Sequence, residues 1–326
     1  MWRMPAEWEP HEATWLAWPH ERSDWPGKFA PIAWIYGDIV KRLARVERVR
    51  ILVEDAALEK SVRRILAKCA VDMSAVDFFR WPTNRSWTRD YCPIFVRNEK
   101  GEVAITNWLF NGWAKYDNWR DDNRIPARVA KRYKLPELEP GIVLEGGSID
   151  VNGAGLLLTT EECLLSESVQ VRNPGLGRAD LERYFADYLG IRQTIWLKEG
   201  IAGDDTHGHI DDVARFVDEK TIVTVVEPSL SENLKVLKGT GLKVVTLPMP
   251  APVYFDGQRL PASYANFYIA NSLVLVPTFN DPNDRVALNT LAKLFPTREI
   301  VGIYCGDLVL GLGTLHCMTM QEPRPA

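Results

Sequence analysis

Residues 35–80 read IYGDIVKRLARVERVRILVEDAALEKSVRRILAKCAVDMSAVDFFR, and their hydrophobic pattern decides the fold class. Ile35, Ile39, Leu43 and Val46 recur at helical spacing, which predicts a helix near 35–46. The compact apolar run from Val49 to Glu54 then predicts a strand. The pair repeats at once, as a helix over 56–69 and a strand over Val76–Arg80. Helix and strand in alternation mark an α/β chain.

Working outward, the same theme continues to the end of the chain. Strands are expected at Pro93–Arg97 and Val103–Leu109, a polar helix near 123–133, and extended runs around 142–144 and 149–158. Helix 179–189 precedes strands at 194–198, 210–217 and 221–226; helix 230–238 precedes strand 242–247. Helix 284–295 sits between strands at 272–276 and 299–303, and short strands near 307–310 and 314–319 close the chain. Short strands in twos and threes with one helix per unit, recurring about every 60 residues, suggest modules around an axis rather than a doubly wound sheet. No Pro/Ser/Gly linker or charged run cuts residues 1–326, so one domain is expected. The first 34 residues carry six of the 12 tryptophans among five prolines, which predicts a segment wrapped onto the body and partly lining a cleft.

The 326 residues, 46% hydrophobic and 25% charged, have the balance of a globular protein and exclude disorder or a fibrous repeat. Lys+Arg 39 against Asp+Glu 43 gives a net charge of -4, which argues against nucleic acid and favours a cationic small molecule as partner. Apolar stretches such as 268–277 fall short of the roughly 20 residues a bilayer requires, so no membrane partner is expected. Cys69, Cys92, Cys163, Cys305 and Cys317 are odd in number and form no C-x-x-C pair. Reduced thiols, together with an N-terminus lacking a secretion signal, lead to the expectation of a cytoplasmic protein.

The densest chemical signal is GDDTHGHIDD at 203–212, which holds two of the five histidines. On an extended backbone alternate side chains share a face, so His209 and Asp211 would project together, joined by His207 and Asp205 if the path is extended that early. Such a face suits an acid/base histidine beside a cation-binding carboxylate, or an H-x-H metal site; a solvated loop is the plain alternative. In GTLHCMT at 313–319, an extended path turns His316 and Cys317 to opposite faces. The base for Cys317 must then come from elsewhere, with His209 the candidate, unless Cys317 is simply a small core residue. Asp90, in WTRDYCP at 87–93, either receives a cation or pairs with Arg89 or Arg85. In LEGGSID at 144–150 paired glycines let the backbone pass close to a ligand and set Glu145 at the turn, unless this is an ordinary hairpin.

Read together, these segments closely resemble the agmatine deiminase family of guanidine-modifying, pentein-fold enzymes, which are related to bacterial peptidylarginine deiminases. The resemblance runs nearly end to end. It is carried by MPAEWEPHE at 4–12, WLAWP at 15–19, WTRD at 87–90, FNGW at 110–113, EGGS at 145–148, TEECLL at 160–165, DTHGHID at 205–211, NFYIAN at 266–271 and HC at 316–317. It implies an α/β fold: a five-bladed, pseudo-symmetric α/β propeller of ββαβ-like units with the active site on the central axis. It further implies Cys317 as nucleophile, His209 as general acid and then base, and Glu145 as the carboxylate that orients His209. Asp90 and Asp211 would grip the guanidinium, with Asp205 assisting and Trp87 in the guanidinium-binding loop. No metal or other cofactor is required.

The implied reaction is hydrolytic deimination of a linear guanidine, agmatine foremost, to N-carbamoylputrescine and ammonia, a step of polyamine and putrescine biosynthesis. Peptidyl-arginine or another guanidino compound is the competing substrate. A metal-dependent amidohydrolase using His207 and His209, and a non-catalytic guanidine-binding protein, are the competing classes. His207, Asp212, Cys92 and Thr314 stand where the family pattern has asparagine, asparagine, glycine and asparagine, and these departures bear on which guanidine is the substrate. Asp117, Asp121 and Asp122 are candidates to receive a substrate's far end. The sequence is compatible with a homo-oligomer.

Overall fold

The computed structural model describes residues 1–325. Five sheets repeat one pattern: a first strand antiparallel to a second, and the second parallel to a third reached through a helix. Parallel neighbours require such a crossover, which is why each unit needs its helix. Unit two runs Ile94–Asn98, Val103–Thr106 and Glu137–Leu138, crossing through helix Ile125–Tyr133, with Trp2–Arg3 added at its edge. Unit three runs Asp150–Val151, Leu156–Thr160 and Gln193–Leu197 through helix Arg178–Leu189. Unit four runs Ala214–Asp218, Thr221–Val225 and Lys243–Leu247 through helix Ser231–Gly239. Unit five runs Tyr268–Ile269, Leu273–Thr278 and Glu299–Tyr304 through helix Pro282–Leu294.

Unit one is built from both ends of the chain. Its first strand is Met320–Pro323, antiparallel to His11–Ala17, which continues in parallel to Arg48–Val53 and Val76–Arg80 through helices Phe29–Leu43 and Ala56–Lys68. These five units are the blades of a five-bladed α/β propeller. Local signals fix the helix starts: Asp55 caps the Leu58 N–H, and Asp281 with Asp284 forms a capping box ahead of Pro282. Among the described residues, no helix is long and apolar enough to cross a membrane.

Several expectations are corrected here. The first helix begins at Phe29 rather than 35, because Pro31 falls in its first turn, where a missing N–H costs nothing. The strand expected over 210–217 is split: Ile210–Asp212 is a 3-10 turn and extended backbone starts at Ala214. His207 (φ 63°) and Gly208 (φ 96°) bend the chain just before it. Leu308–Gly311 is a 3-10 turn, and 314–319 is a turn rather than a strand, with the Met318 N–H on the Thr314 carbonyl at 3.3 Å. Around 142–144 only a single bridge, Leu109 to Val143, forms. Of the six early tryptophans, Trp15, Trp18 and Trp25 are buried, whereas Trp34 is 49% exposed.

Candidate active site

The segments leading into the first strand of each blade meet at one place. Asp90 precedes Ile94, Glu145 to Gly147 precede Asp150, His209 and Asp211 precede Ala214, Asn266 precedes Tyr268, and Cys317 precedes Met320. A cavity of about 460 Å³ opens there, lined by Cys317, Asp90, Trp87 and Asp205 together with Trp113, Tyr116, Asp24 and Arg85. The loops are stitched to one another: the Arg89 N–H donates to the Cys317 carbonyl at 3.1 Å, and Thr88 Oγ1 donates to the Met318 carbonyl at 2.8 Å. The early segment reaches this cavity through Ser23, Asp24 and Pro26, as expected, although none of its six tryptophans lines it; Trp87 and Trp113 do.

Asp90 is held at both oxygens. Trp113 Nε1 donates to Oδ2 at 2.9 Å and the Gly147 N–H donates to Oδ1 at 3.0 Å. Burial, opposed by His209 and reinforced by Asp211 and Glu145, pushes its carboxyl up to about 6. Asp211 behaves in the opposite way. Burial disfavours its charge, but the His316 hydrogen bond and charge, with His209 and Arg215, hold it below the usual carboxylate range. His316 Nδ1 lies 2.7 Å from Asp211 Oδ2, while Oδ1 has no hydrogen-bond partner among the described residues.

His209 lies between the two acids, its Nδ1 3.8 Å from Asp90 Oδ1 and 3.9 Å from Asp211 Oδ1. Burial works against its proton, yet Asp90, Cys163 and Asp211 hold it well above the usual imidazole range. Neither ring nitrogen is hydrogen-bonded among the described residues. Gly147 leaves room for this ring: a Cβ there would sit 2.6 Å from His209 Nδ1 and 2.7 Å from Asp90 Oδ1.

Cys317 Sγ receives a hydrogen bond from Asn266 Nδ2 at 3.1 Å and lies 3.7 Å from Asp211 Oδ2. Thr314 Oγ1 donates to Asn266 Oδ1 at 2.7 Å and so fixes the amide's orientation. Burial, then Asp211, Asp212 and Asp90, push the thiol well above its usual range. Glu145 is fully buried, and its Oε1 accepts from Arg172 Nε at 3.0 Å. Glu145, Cys163 and His209 each place a donor atom within 4.8 Å of the others'. Glu145 thus stands close to His209, but its formed bond is to Arg172.

Asp205 lines the cavity with its oxygens on Lys115 Nζ at 2.5 Å and Tyr116 Oη at 2.7 Å. Trp87 stacks obliquely on Trp25 at 5.6 Å and forms a wall beside Gly311 and Gly313. His207 turns toward Glu162, 3.4 Å away, so the His-x-His pair does not converge. Cys92 is buried outside the cavity wall, and burial together with Asp122 pushes its thiol well up. None of Asp117, Asp121 and Asp122 lines the cavity: Asp122 accepts the Asn84 and Arg85 N–H groups, and Asp121 pairs with Arg124. Sequence reasoning missed Asn266, Trp113, Cys163 and Arg172. The first three lie inside the quoted motifs NFYIAN, FNGW and TEECLL, whereas Arg172 lies outside every motif.

A five-bladed α/β propeller whose blades bring a cysteine and a carboxylate to one cavity, with a buried histidine and a second carboxylate directly behind them, defines the class of guanidine-modifying, pentein-fold enzymes. Residues 3–323 match the Porphyromonas-type peptidyl-arginine deiminase family, and the chain belongs to it. The agmatine deiminase of Pseudomonas syringae pv. syringae is 34% identical, covering 99% of this chain and 95% of that one. The structure of agmatine deiminase of Enterococcus faecalis catalysing its reaction has a TM-score of 0.91 at 31% identity, over 99% of this chain and 96% of that one. A C. jejuni agmatine deiminase with substrate bound has a TM-score of 0.91 at 31% identity, over 100% of this chain and 97% of that one.

Proposed function

We propose that the protein hydrolyses agmatine to N-carbamoylputrescine and ammonia through a covalent intermediate on Cys317. The observation that carries this reading is the convergence of four groups: Cys317 and Asp90 line the cavity, and the buried Asp211 and His209 lie directly behind them, within 3.7 Å of the sulfur and 3.8 Å of Asp90 respectively. A guanidinium keeps its proton at any working pH and resists attack by water, so binding must be charge-assisted and the nucleophile must be a thiolate. Asp90 and Asp211 accept guanidinium N–H groups and hold the planar carbon beside Sγ. The same acids raise the thiol, and the substrate's own cation reverses that effect. One positive charge at about 4 Å is worth about 4 kcal/mol at an effective dielectric near 20, roughly three pKa units.

The thiolate adds to the guanidinium carbon, giving a tetrahedral adduct. His209 donates its proton to one departing nitrogen, the C–N bond breaks and ammonia leaves, so that an S-alkylthiouronium remains on Cys317. Neutral His209 then takes a proton from water as its oxygen adds to the same carbon. Collapse breaks the C–S bond and returns the thiolate, and the hydroxyl proton passes to solvent, where it converts the released ammonia to ammonium, leaving the neutral urea product. Glu145 is assigned the role of holding the His209 ring in place, and Asp205 and Trp87 the cavity wall along the substrate's chain. The cysteines are free thiols, which suits a reducing compartment, and we place the protein in the cytoplasm. Unit one joins both chain ends, which supports reading the chain as one domain. The test is ammonia release from agmatine, arginine, arginine-containing peptides and methylated guanidines; turnover of agmatine above the others is expected, and none from agmatine would overturn the reading.

A further inference from the structure

The reaction above leaves two buried histidines unused, His11 and His316, and only His316 touches a group of the site. His316 has a side chain only 2% exposed, with Nδ1 at 2.7 Å from Asp211 Oδ2 and Nε2 at 2.7 Å from Glu7 Oε2. We propose that His316 is a positioning residue for guanidine binding: wedged between Asp211 and Glu7, it fixes both the charge and the aim of the Asp211 carboxylate. The proposal rests on reading Asp211 as a guanidinium acceptor.

Ionised carboxylates accept hydrogen bonds and cannot donate them, so a ring bonded to two of them must donate from both nitrogens. The surrounding charges agree. Glu7, Asp150 and Asp211 supply three negative charges to this buried cluster, while Arg89 and Arg215 supply two positive ones. A cationic His316 brings the cluster to neutrality. Glu7 is in turn fixed by Arg215 Nη2 at 2.9 Å, Arg89 Nη2 at 3.3 Å and the Ile269 N–H at 2.8 Å. The backbone of His316 is fixed as well, with its N–H on Asn266 Oδ1 at 3.0 Å and its carbonyl accepting from Arg89 Nε at 3.3 Å. His316 thus has no freedom to turn, and it engages Oδ2 of Asp211 alone. Oδ1 has no hydrogen-bond partner among the described residues and lies 3.9 Å from His209 Nδ1, on the side where a bound guanidinium would meet it. The same chain turn that presents the Cys317 sulfur therefore also sets the acid across from it. Charged groups facing the His316 ring are Glu7 from the N-terminal segment and Asp211 from the 210–212 turn. Arg89 and Arg215 stand behind Glu7, and His209 and Asp90 stand beyond Asp211.

The test measures agmatine binding by calorimetry in a Cys317→Ala background, with His316→Gln, Glu7→Gln and the two combined. Expected are at least about a tenfold weaker Kd for His316→Gln, a smaller loss in the same direction for Glu7→Gln, and a combined effect less than the product of the two. The His316→Gln loss should widen as pH falls, because Asp211 without its facing cation protonates more readily. In the otherwise native enzyme, His316→Gln should raise KM more than it lowers kcat. A purely structural role would lower Tm and leave Kd and its pH dependence as in the parent, and that result overturns the proposal. The unmodified protein gives a check free of folding effects: nitrogen-15 shifts of His316 should report two protonated ring nitrogens, and one bare nitrogen overturns the proposal. Failure of the Cys317→Ala parent to bind agmatine would overturn the functional reading and this inference with it; binding that ignores His316 overturns this inference alone.

Discussion

Cys317 sits in an environment hostile to a thiolate. Burial and three nearby carboxylates push its pKa well up, so in the substrate-free protein the sulfur is held as a thiol. On the proposed mechanism, a bound guanidinium would add one positive charge beside the sulfur, which favours the thiolate and lowers its pKa. The sign of the pH dependence follows. The limb of kcat/KM that reports the free thiol should lie at higher pH than the corresponding limb of kcat, which reports the complex. Steady-state ammonia release across pH measures both, and a kcat limb at equal or higher pH would contradict substrate-assisted activation. On the proposed mechanism, Cys317→Ala removes the atom that would form the covalent bond but none of the acids that would bind the cation. It should abolish turnover while calorimetry still detects agmatine, and residual catalytic ammonia release would rule Cys317 out as nucleophile.

At the scale of elements, the site depends on tight turns more than on the regular strands behind them. Gly147 is the clearest case, since a methyl group there would sit inside contact distance of both His209 and Asp90. Gly147→Ala should therefore cut kcat/KM by at least about a hundredfold, in keeping with displacement of reacting groups by about 1 Å, while circular dichroism stays native. Wild-type activity in that variant would mean that the turn is not under this constraint. The strand Met320–Pro323 is held differently. Glu322 is buried against Arg50 and also accepts the Trp15 indole N–H at 2.8 Å. Glu322→Ala leaves Arg50 as an uncompensated buried charge, and a loss of about 3–5 kcal/mol is expected in urea unfolding. The same contrast explains what could be read from sequence. Strands such as Leu273–Thr278 and helices such as Ala56–Lys68 announce themselves by local pattern and caps. The two segments carrying His209 and Cys317 look extended, because Thr, Ile, Val and Cys favour strands, but tertiary bonds bend them. His207 takes a positive φ without being glycine, and the His316 N–H is captured by Asn266 from another blade. Arg172 gave no signal, since only the folded chain brings it to Glu145.

Across the whole molecule, each blade supplies a piece of one site from the loop that enters its first strand. Asp90, Glu145 with Gly147, His209 with Asp211, Asn266, and His316 with Cys317 come in that order from blades two, three, four, five and one. Only the last of these requires the chain's two ends to meet, because Met320–Pro323 completes the sheet begun by His11–Ala17. Glu7 adds a second tie between the ends, reaching His316 across the sequence. With contributions from every blade and buried ion pairs joining them, the site has no subset of blades on which it could persist. Activity and global structure should consequently be lost together. In a urea titration, the midpoint for ammonia release under saturating agmatine should coincide with the midpoints from far-ultraviolet dichroism and tryptophan fluorescence, each measured with the same ligand present. A site resting on one or two blades with the rest as scaffold would instead lose activity at distinctly lower urea, as a local opening within an intact fold. Coincident transitions would mean that the propeller's closure is itself a condition of catalysis.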